Sequence, residues 1–582
     1  MKVIVNISLI LLLLVIGSCV KKRDLNTNTL IVRISSSPAG LHPVNNSSAN
    51  QSFVLTYTQQ KLMSTSLATE KTEPHLITKL PDADNSGLLY TYQLIKGVQW
   101  DDKTPLTIDD IIFTLKISLC PLTNNPDTRP IYSSIIDSVY PDKEDENRFF
   151  MKVKTKHVLN DKIFLESIYI QQRDHWDKER ILDHLFFKNI HAENFVSTPA
   201  IDDWFNDFNN SDNSYLPDRL VGLGPYQVTS FKKDNSITLV KKKNWWGADF
   251  EGQRFNNYPE KIIFKIIKDN TSVYLAIKNQ EIDFSASAGG TSKLMKLQKL
   301  DYFNNNYRSD FVDRYSYSYL ALNMRPNLDH NSPFFIDKKV RKAIAHLVPI
   351  QEIIDIIYYG KVERQASIVS PLKASCDTTL AFVELDIEKA KQLLTDAGWE
   401  DTDNDQIVDK VINGKKTPFS FKLTYPTGGG NSKEIVFMMK ESMKKAGIEL
   451  KSNPVDFNSF LKKAADHKFD AILGGWLSDS KYSDPTQLWG TESWSNKGSN
   501  YCGFGNSYSD SLIIKANTTL DPEQHLIAYK KLQKLIYDEQ PYVFLWSGKL
   551  PMVAHKRFSN TEFYRAKPSI SLGSFQLATG VQ

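Results

Sequence analysis

The chain is 582 residues long, with 41% apolar and 24% charged residues. That mix belongs to a globular protein with several cores, and it excludes a disordered, collagen-like or disulfide-knotted chain. Lys and Arg exceed Asp and Glu by 71 − 67 = 4 charges. With no basic stripe, that balance points to no nucleic acid partner.

Met1-Lys2 followed by the apolar run Val3–Ile16 reads as a secretory signal, because a spanning helix needs roughly 20 apolar residues. The run closes on Ile16-Gly17-Ser18-Cys19, which resembles the bacterial lipobox. That resemblance implies cleavage before Cys19, lipid on its thiol, and a body held outside the cytoplasmic membrane by its acyl chains. Residues 1–19 are then the signal with its lipidated cysteine, and the polar stretch 20–29 reads as a flexible tether. Cys120, Cys376 and Cys502 remain, an odd number with no metal-ligand spacing, so core thiols are expected.

In chain order, Leu30–Ile34 reads as a strand, followed by a Ser/Pro/Asn-rich loop. Leu88–Ile95 alternates as a strand. Thr107 caps a helix with Asp110 at the third position and Ile108, Ile111, Ile112 and Leu115 on one face. Asp337 and Asp386 cap two more helices, the second closed by Gly398. Residues 419–425 alternate as a strand, Ser432 caps a helix through Ala446, and Ile448 and Leu450 open another strand. Residues 458–467 read as a helix and 469–476 as a buried strand. This β-α-β-α-β order implies parallel strands, whose ligands bind beyond the carboxyl ends, here at Trp476, Leu477, Ser478 and Asp479.

No nucleophile elbow, zinc-protease helix, P-loop or kinase set is present, and the 11 His are scattered. Nothing implies catalysis or a cofactor. Asp401, Asp403, Asp405 and Asp409 place oxygens at positions 1, 3, 5 and 9 of an EF-hand-like loop. Gln406 and Ile412 occupy the places of its Gly and Glu, so weak Ca²⁺ binding stands beside a solvated turn.

Four segments together resemble the peptide/oligopeptide-binding proteins of ABC importers, the extracellular solute-binding family 5. They are LLYTYQLIKGVQWDDKTPLTIDDIIFTLKIS (88–118), GLGPYQVTSFKKDNSITLVKKKNWWG (222–247), YLALNMRPNLDHNSPFFIDKKVRKAIAHLV (319–348) and FDAILGGWLSDSKYSDPTQLWGTES (469–493), in the family's order. Asp102-Lys103 replaces the usual Asp-Gly turn, and Leu223 stands where a small residue is common.

The resemblance implies an α/β, bilobal periplasmic-binding-protein-like fold with discontinuous lobes, mixed sheets and an inserted subdomain. By analogy lobe I takes 26–65, 205–310 and 545–582, the inserted subdomain 66–204, and lobe II 311–544. It further implies a monomeric receptor that closes on a peptide and passes it to permease and ATPase subunits, with no cofactor of its own. Asp479 matches the family's ammonium-binding aspartate. Trp476, Ser478, Tyr501, Asn323 and Ser37 fall in segments near the ligand, with Arg325 beside Asn323 and further rings at Trp489 and Trp494. Asp484, before Pro485, reads as fixing its loop. Relatives with this fold also bind nickel complexes, haem, oligosaccharides or opines, and a hydrolase or a surface signalling lipoprotein is the alternative from another class.

Overall fold

The computed structural model describes residues 23–45, 48–124, 129–162, 168–192, 194–325, 333–427, 431–478, 482–495 and 498–578. Twelve strands build its two main sheets: β1 (Thr29–Ile34), β2 (Tyr226–Lys232), β3 (Ser236–Lys241), β4 (Lys261–Ile266), β5 (Phe284–Ser285), β6 (Tyr307–Asp313), β7 (Ser316–Leu322), β8 (Ser420–Pro426), β9 (Glu449–Val455), β10 (Ala471–Leu477), β11 (Tyr542–Phe544) and β12 (Lys549–His555). A seven-stranded sheet runs β6-β12-β5-β1-β4-β3-β2, and a five-stranded sheet runs β9-β8-β10-β7-β11. Each is the centre of one lobe, and both mix parallel with antiparallel pairs.

The β-α-β-α-β unit forms as its pattern demands. β8 pairs in parallel with β9 and with β10, across the helices Ser432–Lys444 and Phe457–Ala465. β7 then joins β10 antiparallel, with Tyr317, Tyr319 and Ala321 in one core and Leu320 and Leu322 in another. β7 is therefore covered on both faces. β10 is buried only over Ala471–Leu473; beyond that it alternates and runs out toward the junction of the lobes.

Local caps explain the helix starts. Thr107 and Asp110 form a capping box, and Asp337 and Asp386 accept the amides of Lys339 and Lys389. Two expectations need correction. Ser432 is the first helical residue rather than the cap, which is Asn431. The expected tether is pinned from Arg23 onward: its guanidinium pairs with the buried Asp283 carboxylate at 2.6 Å.

A four-stranded antiparallel sheet (Asp82–Ala83, Leu89–Gln93, Arg148–Val153, Ile136–Pro141) packs on the helix Ile108–Leu119 to make a subdomain with its own core. Trp100 lies buried there and donates Nε1–H to Asp110 Oδ2 at 3.3 Å. The Gly222-Leu223-Gly224 segment is a packing device. A Cβ on Gly224 would come within 2.6 Å of the Tyr57 carbonyl oxygen. The Leu223 carbonyl accepts both Trp245 and Trp246 Nε1–H, at 2.7 and 2.9 Å.

Candidate functional site

Two chain crossings join the lobes: Arg314-Tyr315 between β6 and β7, and 545–548 between β11 and β12. They are tied to each other. Ser316 Oγ accepts from Arg314 Nε at 3.1 Å and from the Gly548 amide at 3.2 Å, while Ser547 Oγ donates to the Arg314 carbonyl at 3.2 Å.

β10 ends against this crossing. The Ser478 amide donates to the Tyr315 carbonyl at 2.7 Å, so the last described residue of that segment sits at the seam. Tyr315 turns its hydroxyl onto Glu70 of the subdomain at 2.5 Å, and Lys373 of the five-stranded lobe lies 5.6 Å from its ring. Three parts of the molecule meet at one tyrosine.

Behind Ser478 an aromatic column runs across the five-stranded sheet. Tyr319 stacks on Tyr542 at 4.2 Å and on Trp476 at 6.2 Å, and Trp476 stacks on Tyr501 at 5.8 Å. The column explains the first of the two glycines before Trp476. Gly474 faces Tyr319 in register, and a Cβ there would lie 2.8 Å from the tyrosine hydroxyl. Burial pushes the Tyr319 and Tyr542 hydroxyls far above their ordinary range, so both stay neutral.

The subdomain also touches the five-stranded lobe directly. His157 Nε2 stands 3.3 Å from Asp484 Oδ2, and the Val158 amide donates to the Asn517 carbonyl at 2.8 Å. Asp484 further accepts from the amide and hydroxyl of Thr486 and from Asn517 Nδ2. Burial alone would raise its pKa. The donors from His157 and Thr486 outweigh that and hold it below the ordinary carboxylate range. Asp484 does fix its loop, and it joins two bodies as well.

The residues expected near a ligand divide. Trp476, Ser478 and Tyr501 come together at the end of β10. Asn323 does not join them: it is fully buried, donates to the Phe469 and His467 carbonyls, and accepts the Arg325 amide. Ser37 lies in the seven-stranded lobe, where its hydroxyl accepts the Asp234 amide at 3.3 Å. Trp489 is core, packed on Tyr542, and Trp494 stacks on His467. Asp479 and Cys19 lie outside the described residues.

Sequence reasoning missed Arg314, Tyr315, Glu70 and His157; no motif contains them, and only the topology brings them to the seam. The acidic loop gathers Asp401, Asp403 and Asp405, all exposed. Asp409 is turned away onto Thr402, and Lys416 bridges it to Asp403 at 3.2 and 2.7 Å. Cys120, Cys376 and Cys502 are all free thiols. Among the described residues no helix is long and apolar enough to cross a membrane.

Comparison with known proteins accords with this architecture. The chain is 28% identical over 512 residues to the oligopeptide-binding protein AppA of Bacillus subtilis, covering 86% of this chain and 83% of that one. It is 23% identical to heme-binding protein A of Haemophilus influenzae, covering 89% and 87%. Among solved structures, AppA of Bacillus subtilis in complex with a nonapeptide superposes with a TM-score of 0.75 at 24% identity, covering 94% of this chain and 99% of that one. NikZ of Campylobacter jejuni in complex with Ni(L-His) does so with a TM-score of 0.73 at 19% identity, covering 92% and 95%. The model for "Bacterial extracellular solute-binding proteins, family 5 Middle" matches residues 71–499, and the chain belongs to that family.

Proposed function

We propose that this protein is the peptide receptor of an ABC importer. It captures peptides between its lobes and hands them to a membrane permease driven by a separate ATPase. It acts as a monomeric binding protein without catalysis, anchored outside the cytoplasmic membrane by lipid on Cys19. Lobe I comprises 26–65, 205–313 and 545–582 and lobe II runs on to 544, the boundary expected at 310/311 moving to the Arg314-Tyr315 crossing because β6 continues to Asp313, with the subdomain 66–204 inserted.

The observation that carries this reading is the convergence at the end of β10. Trp476, Ser478 and Tyr501 gather where the chain crosses between lobes, in the segment that resembles the family's peptide-ammonium site. A receptor for many peptides must hold what all peptides share. Backbone amides and carbonyls pair as an added strand, and the ammonium takes a fixed carboxylate, the role proposed for Asp479. Such a charge-assisted bond contributes roughly 1.5–3 kcal/mol. Rigid rings line side-chain pockets at low entropic cost.

The test is a soluble form beginning after Cys19, purified without added ligand, denatured, and its released small molecules identified by mass spectrometry. A ladder of short peptides is expected. A single non-peptide species, such as haem or a nickel chelate, would overturn the ligand assignment while leaving the fold intact. Asp479→Asn should weaken peptides with a free amino terminus far more than N-acetylated ones; equal losses would remove Asp479 from the ammonium site.

A further inference from the structure

The subdomain is attached to the two lobes by different kinds of contact. Val44, Leu62 and Leu223 of the seven-stranded lobe lie inside the subdomain's own apolar core, with Trp246 packed against it. Among the described residues, neither core of the five-stranded lobe contains a subdomain residue. The contacts described above between those two bodies are polar, from His157 to Asp484 and from Val158 to Asn517. Parting an apolar core exposes its whole area to water, whereas a polar pair exchanges its partner for water at small net cost. In any movement about the two crossings the subdomain therefore travels with the seven-stranded lobe, and its contact with the five-stranded lobe is the one that can break.

Both sides of that contact are held in shape by their own bodies. The subdomain loop after the strand Arg148–Val153 is folded on itself by Asn160, which is fully buried. Its Nδ2–H donates to the Thr155 carbonyl at 2.9 Å and its amide to the His157 carbonyl at 3.1 Å. His157 Nδ1 accepts the Leu159 amide at 3.1 Å, which leaves the proton of the neutral ring on Nε2, facing Asp484. Across the contact, Asn517 offers its carbonyl to the Val158 amide while its Nδ2 donates to Asp484 at 2.8 Å and its Oδ1 accepts the Tyr482 hydroxyl at 2.7 Å. His157 is 8% exposed, so the pair forms largely out of water. Two surfaces fixed in advance lose little freedom when they meet.

We propose that His157 and Val158 form a clasp on Asp484 and Asn517 that closes when ligand is enclosed and opens to release it. His157 is then a positioning residue that sets how long ligand stays without touching it. The inference rests on the peptide-receptor reading and adds to it the contacts that hold the closed state. Such a clasp favours closure by the same amount whatever is enclosed. Its loss weakens every ligand by one common factor, felt in the dissociation rate.

The experiment measures affinity and dissociation rate for two peptides of unlike chemistry, Ala-Ala-Ala and Lys-Phe-Leu-Glu-Gly. His157→Phe keeps a ring but removes the donor, and both peptides should weaken by the same factor, about 10-fold for a hydrogen bond to a carboxylate. His157→Gln carries an N–H near the place of Nε2 and should restore most of that loss. In wild type, hydrogen exchange of the fragment bearing the Val158 amide should slow when ligand binds, and in His157→Phe it should slow less. Thermal unfolding of the ligand-free proteins checks folding, and His157→Gln with wild-type exchange carries the test should His157→Phe not fold. Unequal losses for the two peptides, no loss for either, or exchange at Val158 indifferent to ligand overturns the clasp while leaving peptide binding standing. Failure of wild type to bind either peptide counts against the peptide reading. Exchange is then compared between the protein as purified and after stripping of its co-purifying ligand; a difference keeps the clasp for another ligand, and none overturns it.

Discussion

The two lobes hold themselves together by different means. The five-stranded lobe draws four of its five strands from residues 316–477, and its one long-range partner, β11, joins through a stack of rings. The seven-stranded lobe assembles strands from residues 29 to 555 and has a buried ion cluster at its heart. There Asp283 accepts from Arg557 at 2.7 and 3.0 Å, from Arg23 at 2.6 and 3.1 Å, and from the Ile31 amide at 2.7 Å. Arg557 also donates to the Leu25, Thr27 and Thr29 carbonyls. Apolar burial is non-directional and rewards any neighbour of suitable shape. A forked charge with five donors selects one arrangement, and it does so where residues 23–31 meet Asp283 and Arg557.

The largest effect should follow from Asp283→Ala, which leaves two arginines facing each other; a loss of about 3–5 kcal/mol is expected in urea unfolding. If the comparison is right, that loss falls on the seven-stranded lobe, and tryptophan fluorescence from Trp476 and Trp489 reports a later, separate transition. Coincident transitions would mean that the lobes unfold as one. Next in size, Gly474→Ala places a methyl against the rigid Tyr319 ring and should cost about 1–3 kcal/mol, visible as a changed near-ultraviolet dichroism of the aromatic column.

Acid should separate the lobes again. Burial lowers His75 to about 3, helped by the nearby Arg254 and Lys61 charges, and lowers His42 and His555 to about 4. All three lie in the seven-stranded lobe or against its subdomain. Their folded pKa values are depressed, so the unfolded chain takes up protons first. Their stability is complete above about pH 6.5 and is lost as pH falls toward 4, each costing on the order of 1 kcal/mol by pH 5.5. In the five-stranded lobe His346, His467 and His525 are half-buried instead. Acid unfolding followed by hydrogen exchange should therefore begin in the seven-stranded lobe, and simultaneous loss of protection in both would sink that expectation. The smallest effect belongs to the acidic loop. Lys416 already supplies its counter-charge, so added Ca²⁺ should leave the unfolding midpoint of the wild-type protein unmoved; a clear rise would restore the loop as a cation site.

The same contrast decides what could be read from residue order. The β8-to-β10 unit was legible because its strands and helices follow one another and each carries its own period and cap, as Asp386 and Gly398 show. Trp476 and Ser478 followed from it, since a strand's carboxyl end can be counted. The ion cluster was not legible: Arg23, Asp283 and Arg557 are ordinary surface-type residues in sequence, and only the sheet order β12-β5-β1 brings them together. Asn323 shows the opposite case. A polar residue in a motif suggests a ligand, and the three backbone groups that this side chain satisfies inside the five-stranded lobe could not be read from the motif.

The pinning of Arg23 sets a leash length. Were Cys19 to carry lipid as proposed, only four residue steps would separate the acyl chains from a guanidinium locked inside the seven-stranded lobe. A fully extended chain covers no more than about 14 Å in that distance. Such a receptor would not drift on a long stalk. It would ride against the bilayer surface, with the face beside the β1, β5 and β12 ends turned toward the lipid and its freedom reduced largely to spinning in the membrane plane.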